Sequence, residues 1–366
     1  VYFTTFSRSL RVRTISMSPH FGQRKLTLPR SFVIDQQGRF AWYGHPSELA
    51  GVVDASTQAS LTRDKDGKAI SIPDKLAYLL GLIKDVITEA KATGFDASTP
   101  VTPAVLQELG VKFDGLPLNG DGTPKNWSAI IAALRGSKDD GSEVNSVQEL
   151  QDLVVNASNA METIRKYAAD STETAPTEQD YKHIGIVGAA DSSGVNAPLV
   201  TAENLQAVNA ALATTAVAAA QADTPALVKA IVDAYRAILD EANGTAPDAN
   251  SDVNPTAAQY AAIGVNLGTA ATDAATDVET LALLNAIVGG KQTADVDTVA
   301  EVQELATIAN AIQLKAAGGT PNPALTVADL QKIGLDTTGV TADNLPTLLA
   351  AIAGKNDNGS ETDTLE

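Results

Sequence analysis

The sequence predicts an all-α fold, a tandem array of four small three-helix-bundle repeats preceded by a short segment that contains a β-hairpin. Two observations support this prediction. A ten-residue phrase occurs four times, and Thr and Gly stand eight residues apart in every copy. The composition is 44% hydrophobic but only 4% aromatic, which suits slender cores between closely packed, Ala-rich helices.

The N-terminal segment, residues 1–50, differs from the rest in charge. It has a net charge of +5, whereas residues 51–366 have a net charge of −23. Its stretch LPRSFVIDQQGRFAWYGHPSEL, from Leu28, has apolar runs at 32–34 and 40–43 on either side of a DQQG turn. That pattern predicts a β-hairpin. Residues 51–69 are predicted to be a linker.

The recurring phrase predicts a two-turn helix. A Thr side chain at its start accepts a hydrogen bond from an otherwise unsatisfied backbone N–H, and Gln259, three residues after Thr256, completes a capping box. A Gly at its end adopts the left-handed conformation that closes a helix. The predicted caps are Thr102 and Gly110, Thr177 and Gly185, Thr256 and Gly264, and Thr326 and Gly334.

The buried edge of these short helices consists of apolar residues three apart on one face. Tyr181 and Tyr260 are predicted to be core residues. Leu at the equivalent positions of the other two copies indicates that the phenol itself is not needed. The four edges are Leu106 with Leu109, Tyr181 with Ile184, Tyr260 with Ile263, and Leu330 with Ile333.

A second short helix follows each time, in NWSAIIAAL, NLQAVNAAL, TLALLNAIV and NLPTLLAAI. Apolar residues at the second, fifth and ninth positions of each string predict one buried face. The predicted N-caps are Thr123, Thr201, Asp277 and Thr341.

A longer amphipathic helix is predicted ahead of each pair, and two of these helices share the string VQEL, at Val147 and Val302. Helices of two or three turns are marginal alone, so each pair is expected to pack on its long helix. We expect a single repeat, tested on 144–219, to fold alone. The long helices are predicted at 73–92, 144–168, 224–243 and 297–317, and the repeats at 70–137, 144–219, 222–290 and 296–355.

Residues 356–366 are predicted to begin a fifth repeat. TDTLE, from Thr362, matches the Asp-Thr pairs that open earlier long helices, at Asp223 and Asp297. The chain also lacks an initiator Met. We therefore expect it to be cut from a longer array, with disordered final residues.

Charge and composition exclude several classes of partner. The acidic body repels nucleic acid, because binding requires Lys and Arg to neutralise phosphate. No run of about 18 apolar residues occurs, which predicts no membrane insertion. The sequence has no Cys, so disulfides, thiolate metal sites and cysteine nucleophiles are excluded.

No catalytic residue, cofactor-binding residue or metal ligand is predicted. Calcium is the one candidate ligand, at the oxygen-rich turns DKDG (64–67), NGDG (119–122) and NDNG (356–359), although none supplies the full ligand set of an EF-hand loop. His183 lies off the buried edge of its helix and is predicted to be a solvated surface residue.

The spaced Ala-rich repeats, with ADTPALV and VDTVAEV opening long helices and VTAENL and VTADNL opening third helices, resemble the repeat regions of giant bacterial surface adhesins of the BapA and RTX type. The resemblance covers about residues 70–366. It implies an extracellular or cell-surface stalk or attachment segment, exported by type I secretion and active in biofilm. It transfers no binding residue.

Residues 28–49 are similar to the late hairpin of thioredoxin-like redoxins, in which a cis-proline matching Pro29 precedes the strand FVID. The Cys-x-x-Cys helix of that family is missing. A terminal hairpin with no relatives is the alternative.

Three functions remain open. The first is a structural and adhesive repeat segment that is not an enzyme, with an unknown surface or host ligand and the neighbouring repeats of the same chain as partners. The second is a set of protein-binding three-helix modules, which an exposed apolar patch on each repeat would favour. The third is a fragment of a redoxin-derived enzyme.

Overall fold

The computed structural model is mostly helical, which agrees with the predicted all-α class. It describes four strands within residues 2–44 and most of residues 72–353. The described parts are 2–6, 10–14, 31–34, 40–44, 72–92, 94–95, 99–137, 143–144, 146–190, 195–214, 217, 219–242, 254–268, 274–353, 362 and 365.

The N-terminal strands form an antiparallel four-stranded sheet in the order β1-β2-β3-β4. Strands β3 and β4 correspond to the predicted hairpin, with Phe32 opposite Tyr43 and Val33 opposite Trp42. Strands β1 and β2 were not predicted. Pro29 and the DQQG turn lie outside the described residues. The strands are β1 (Tyr2–Phe6), β2 (Leu10–Thr14), β3 (Ser31–Ile34) and β4 (Phe40–Gly44).

The helices follow in a repeating long, short, short order, except that the last helix of the third group has 16 residues instead of the predicted two or three turns. The long helices are α1 (Ile72–Ala90), α4 (Val147–Ala169), α7 (Pro225–Glu241) and α10 (Val299–Ala316). The helices between and after them are α2 (Pro103–Glu108), α3 (Trp127–Arg135), α5 (Glu178–His183), α6 (Leu205–Leu212), α8 (Ala257–Ala262), α9 (Ala274–Gly289), α11 (Val327–Lys332) and α12 (Leu345–Ile352). Two 3-10 turns lie at Ala219–Ala222 and Thr293–Asp295.

The long helices α4, α7 and α10 each begin after a Ser or Thr whose hydroxyl accepts a backbone N–H three residues on, namely Ser146, Thr224 and Thr298. Aligning the helices on these caps places Val147 with Val299. The shared VQEL strings, at Val147 and Val302, therefore stand three residues apart in this alignment and do not occupy equivalent positions.

The chain divides into two compact units, residues 1–161 with 182–197, and residues 162–181 with 198–366. In the first unit one core joins α1, α2, α3 and the start of α4. Val86, Leu106 and Leu134 are buried in it together with Val154. This core crosses the predicted boundary between residues 137 and 144.

In the second unit each long helix contacts short helices on both sides of it in sequence. Helix α7 contacts α6, α8 and α9, and α10 contacts α9, α11 and α12. The Tyr235 hydroxyl of α7 donates to the carbonyl of Val296, just before α10, at 3.0 Å. Within this unit, α7 and α10 therefore each pack on helices that precede and follow them in the chain.

The predicted caps of the second short helices were wrong. Helices α3, α6 and α12 have Asn126, Asn204 and Asn344 at the N-cap, without a side-chain cap bond. The Asn204 amide oxygen instead accepts the N–H of Thr201 at 2.9 Å, and that of Asn344 accepts the N–H of Thr341 at 2.7 Å. The predicted Thr thus opens a turn before the helix. Asp277 lies inside α9.

A small two-stranded sheet, β5 (Val187–Ala190) with β6 (Asn196–Pro198), was not predicted. Near the other end of the chain, the buried Gln313 of α10 donates to the Thr362 carbonyl at 2.8 Å and accepts from its hydroxyl at 2.9 Å. Thr362 is therefore held by two hydrogen bonds, contrary to the expected disorder.

Candidate functional site

The four Thr residues predicted as caps of the first short helix of each repeat all accept a backbone N–H at the first turn. Thr102 accepts from Val105 at 3.3 Å. Thr256 with Gln259, and Thr326 with Asp329, form reciprocal capping boxes. Thr177 makes the same exchange with Asp180, at 2.8 and 3.3 Å.

The Gly residues predicted to end these helices all have positive φ. The angles are 99° at Gly110, 74° at Gly185, 87° at Gly264 and 95° at Gly334. An L-residue with a Cβ is strained there, which explains why Gly occupies this place in each copy.

Gly185 has a second constraint. A Cβ at this position would lie 2.2 Å from the carbonyl oxygen of Ala132, which belongs to α3 in the same unit. At Gly334 the same atom would meet nothing within 4 Å. Two equivalent glycines therefore have different roles, because only Gly185 permits a close approach of two backbones.

Two repeats contain a buried polar connection between their short helices. The Tyr260 hydroxyl donates to the Asn285 amide oxygen at 2.9 Å, and the Asn285 amide nitrogen donates to the Pro255 carbonyl at 3.0 Å. Tyr181, Asn209 and Pro176 repeat this arrangement, at 2.5 and 2.9 Å. Each phenol therefore joins two helices and a loop carbonyl.

The sequence contains a signal for this connection that the prediction missed. Asn stands at the sixth position of the second short helix string only in the two repeats that have Tyr. The other repeats have Leu106 with Ile131 and Leu330 with Leu349 at the same places. The two positions therefore change together, from an apolar pair to a Tyr–Asn pair. Where Asn is present, the Tyr hydroxyl is needed to donate a hydrogen bond to its amide oxygen.

Burial strongly affects the ionisation of these phenols. Loss of solvent around Tyr181 and Tyr260, both 0% exposed, raises the pKa of each well above the ordinary value near 10. Burial likewise raises the pKa of Tyr235. The three phenols therefore remain neutral donors at physiological pH.

A Gln side chain binds the backbone after two of the closing glycines. Gln151 accepts the N–H of Lys112 at 2.7 Å and donates to its carbonyl at 2.8 Å. Gln303 does the same to Asn266, at 2.7 and 2.8 Å. Both Gln residues lie five residues after the cap of a long helix, so each ties that helix to the preceding short helix.

A buried ion pair joins the ends of α1 and α3 in the first unit. The Arg135 Nε donates to Glu89 Oε1 at 2.6 Å, and Glu89 Oε2 accepts from the Thr99 hydroxyl at 2.6 Å. Arg135 also donates to the Gly94 carbonyl at 3.1 Å. Both charged side chains are almost fully buried, so the pair fixes the relative position of the two helix ends.

Of the three candidate calcium turns, only NGDG lies within the described residues. The Asp121 carboxylate accepts both the N–H and the hydroxyl of Thr123, at 3.0 and 2.6 Å, and these bonds lower its pKa. Asp170 with Thr172 forms the same Asp-x-Thr turn. In the NGDG turn, one Asp121 carboxylate oxygen therefore accepts two hydrogen bonds that close the turn.

The described residues contain no group of three or more His, Asp or Glu side chains that could hold a metal ion. His183, predicted to be solvated, is the last residue of α5 and is partly buried.

The second short helix of the fourth repeat differs from its counterparts in exposure. Ile130, Val208 and Leu284 are 0% exposed, whereas the equivalent Leu348 of α12 is 38% exposed. No residue of α12 is buried. We define the α12 face as Leu345, Leu348, Leu349 and Ile352.

Comparison with protein-family models, curated proteins and solved structures gave no match to this chain. None of the helices in the described part of the chain has the length and apolar character needed to cross a membrane.

Proposed function

We propose that the chain is a structural and adhesive repeat segment of a large secreted bacterial cell-surface protein, acting as a stalk or attachment module. The observation that supports this most is the recurrence of long and short helices with the same Thr and Gly caps, in which long helices are shared between neighbouring repeats. Sharing a helix couples each repeat to the next, as a segment that transmits tension requires.

The proposed partners are a surface or host ligand and the neighbouring repeats of the same chain. The net charge of −23 on residues 51–366 favours such partners over nucleic acid, since phosphate would be repelled. The proposed location is outside the cell, and the absence of Cys is compatible with an oxidising compartment.

Pulling the whole chain between its termini in a force spectrometer tests the stalk. Repeats of about 75 residues should unfold in discrete steps, each releasing about 260 Å of contour length at about 3.5 Å per residue. Extension without discrete steps would contradict the proposal. Retention of chain-coated microspheres under flow, on glass and on cell layers, tests attachment against spheres coated with an inert protein.

A set of protein-binding modules is the second candidate, which an exposed apolar patch on each repeat would favour. Leu348 is exposed, whereas the equivalent Ile130, Val208 and Leu284 are buried, so the described residues support this candidate less than the first. A redoxin activity would need a thiol, and the sequence has none.

A further inference from the structure

The NGDG turn forms the tip of a hairpin between α2 and α3. Asn119 donates its N–H to the Thr123 carbonyl at 2.8 Å, and its own carbonyl accepts the N–H of Gly122 at 3.0 Å. Further from the tip, Lys125 donates its N–H to the Pro117 carbonyl at 2.9 Å. Main-chain hydrogen bonds therefore hold the hairpin and place the first two residues of the turn at its tip.

These two residues, Asn119 and Gly120, are both exposed. A Cβ built on Gly120 would meet no atom within 4 Å, so the space around its backbone is open. Within the described residues, the Gly120 N–H donates to no backbone carbonyl. The Gly120 nitrogen is therefore accessible and is not held by the main-chain hydrogen bonds of the hairpin.

This nitrogen lies next to an electrophile, the side-chain amide carbon of Asn119, and a bond between the two atoms closes a succinimide ring. Gly hinders such an attack less than any other residue, because it has no Cβ. The Asn119 amide nitrogen, which is the leaving group, donates to the Thr123 hydroxyl at 3.1 Å and so stays at the exposed tip, where water reaches it. The other Asn–Gly pairs, at 243–244 and 358–359, lie outside the described residues.

We propose that Asn119 is a self-modification site, at which the folded chain converts the side-chain amide to a carboxylate through the Gly120 nitrogen. The Gly120 nitrogen forms a bond to Asn119 Cγ and loses its proton, and the Cγ–Nδ2 bond breaks, so that the amide nitrogen leaves as ammonia with that proton. Water then adds to either carbonyl carbon of the ring and breaks its bond to the Gly120 nitrogen, which regains a proton. Opening at Cγ gives aspartate, and opening at the main-chain carbon gives isoaspartate. Water is the only co-reactant.

The modification changes the hairpin tip. Both products add a negative charge beside the Asp121 carboxylate, and the Thr123 hydroxyl loses the Asn119 donor. Isoaspartate also lengthens the main chain by a methylene group, so the bonds across the hairpin no longer match. The tip therefore opens, since the like charges repel as well. This modification does not depend on whether the chain acts in attachment.

To test the proposal, the whole folded chain is incubated at mildly alkaline pH, digested with trypsin and analysed by liquid chromatography with mass spectrometry. Trypsin releases residues 113–125, which contain Asn119 as their only Asn, and the neighbouring peptide 126–135. The first peptide should gain the mass of an amide-to-acid conversion and separate into two products of equal mass. The second peptide is the internal control, because Asn126 is 3% exposed and donates to the Ser158 carbonyl at 2.9 Å.

Two variants test the role of the Gly120 nitrogen. G120V should slow the conversion by about tenfold or more, because a branched side chain crowds the attacking atom. G81V, at an exposed glycine of α1 that also has open space around it, is the matched control and should leave the rate unchanged. Circular dichroism verifies that both variants remain folded. Conversion confined to the urea-denatured chain, an equal mass gain in the Asn126 peptide, or an unchanged rate in G120V would overturn the proposal.

Discussion

Gly185 and Gly334 hold the same place in their repeats but differ in what surrounds them. We predict that G334A destabilises the chain by about 1 kcal/mol, the strain of a Cβ at positive φ. G185A should cost about 2 kcal/mol more, because its Cβ would lie 2.2 Å from the Ala132 carbonyl oxygen and the backbone must move. Urea denaturation of the two variants measures the difference. Equal costs would mean that the backbones do not approach each other.

The Tyr260 and Asn285 pair should behave as a unit. Y260F should destabilise the chain by about 1 to 3 kcal/mol, because the buried Asn285 oxygen loses its donor. The double variant Y260L/N285L recreates the Leu330 and Leu349 pair of the fourth repeat, so it should cost less than Y260L and N285L summed. Thermal unfolding of Y260L, N285L and the double variant gives this coupling energy, and the same measurement on Y260F gives its own cost. Additive costs would contradict the pairing.

The buried phenols predict a loss of stability in alkali. The folded-state pKa values of Tyr181, Tyr235 and Tyr260 are raised above the unfolded value of about 10. Their contribution to stability is therefore fully present below pH about 10 and is lost as the pH rises beyond it. Phenolate absorbance should show these three tyrosines ionising only together with the loss of helical circular dichroism. Ionisation of all seven tyrosines with the helices intact would contradict this.

At the scale of elements, the ion pair between α1 and α3 gives a strong prediction. R135M should destabilise the chain by about 3 to 5 kcal/mol, because Glu89 would be left charged and buried. E89Q/R135M should recover much of this loss, since the neutral amide introduced by E89Q can still accept from Thr99. The control is K229M, which removes an i,i+4 surface pair with Asp233 and should change stability by less than about 0.5 kcal/mol. Urea denaturation measures all three.

Helix ends were predictable where the signal lies within one turn. The Thr and Gly spacing located α2, α5, α8 and α11, because both caps act on backbone groups within their own helix. The second short helices were located but their caps were not. The Asn204 and Asn344 side chains bond backbone groups of the loop that precedes each helix, at Thr201 and Thr341 among others. The sequence pattern of this turn, a Thr just before the helix, looks the same as that of a Thr cap.

Contacts between helices were less predictable. Amphipathic faces identify the core residues but not the neighbour that covers them, since any apolar face satisfies any other. The Gln151 and Gln303 bridges reach backbone 39 and 37 residues away, and nothing local distinguishes them from surface glutamines. The close approach of the Gly185 backbone to Ala132 was likewise not predicted, because the cap pattern is local and Ala132 belongs to another repeat.

At the scale of the whole molecule, a shared core changes the expectation for fragments. Residues 144–219 were predicted to fold alone, but their Leu150, Val154 and Ala157 pack in a core with α1, α2 and α3. We now expect 144–219 to have a lower melting temperature than residues 72–169, which contain that whole core. Circular dichroism of both fragments measures this. A higher melting temperature for 144–219 would restore the independent bundle.

Two repeats place a Tyr–Asn pair between their short helices, and the other two place an apolar pair there. This difference affects how a repetitive chain avoids misfolding. Near-identical repeats invite helices of one copy to dock in the place of another, which is a common folding error in repeat proteins. If α8 met α12 in such a swap, Tyr260 would face Leu349 and its hydroxyl would be buried without an acceptor. That mismatch costs about 1 to 3 kcal/mol. The polar pairs therefore disfavour docking of a helix from the second or third repeat against one from the first or fourth.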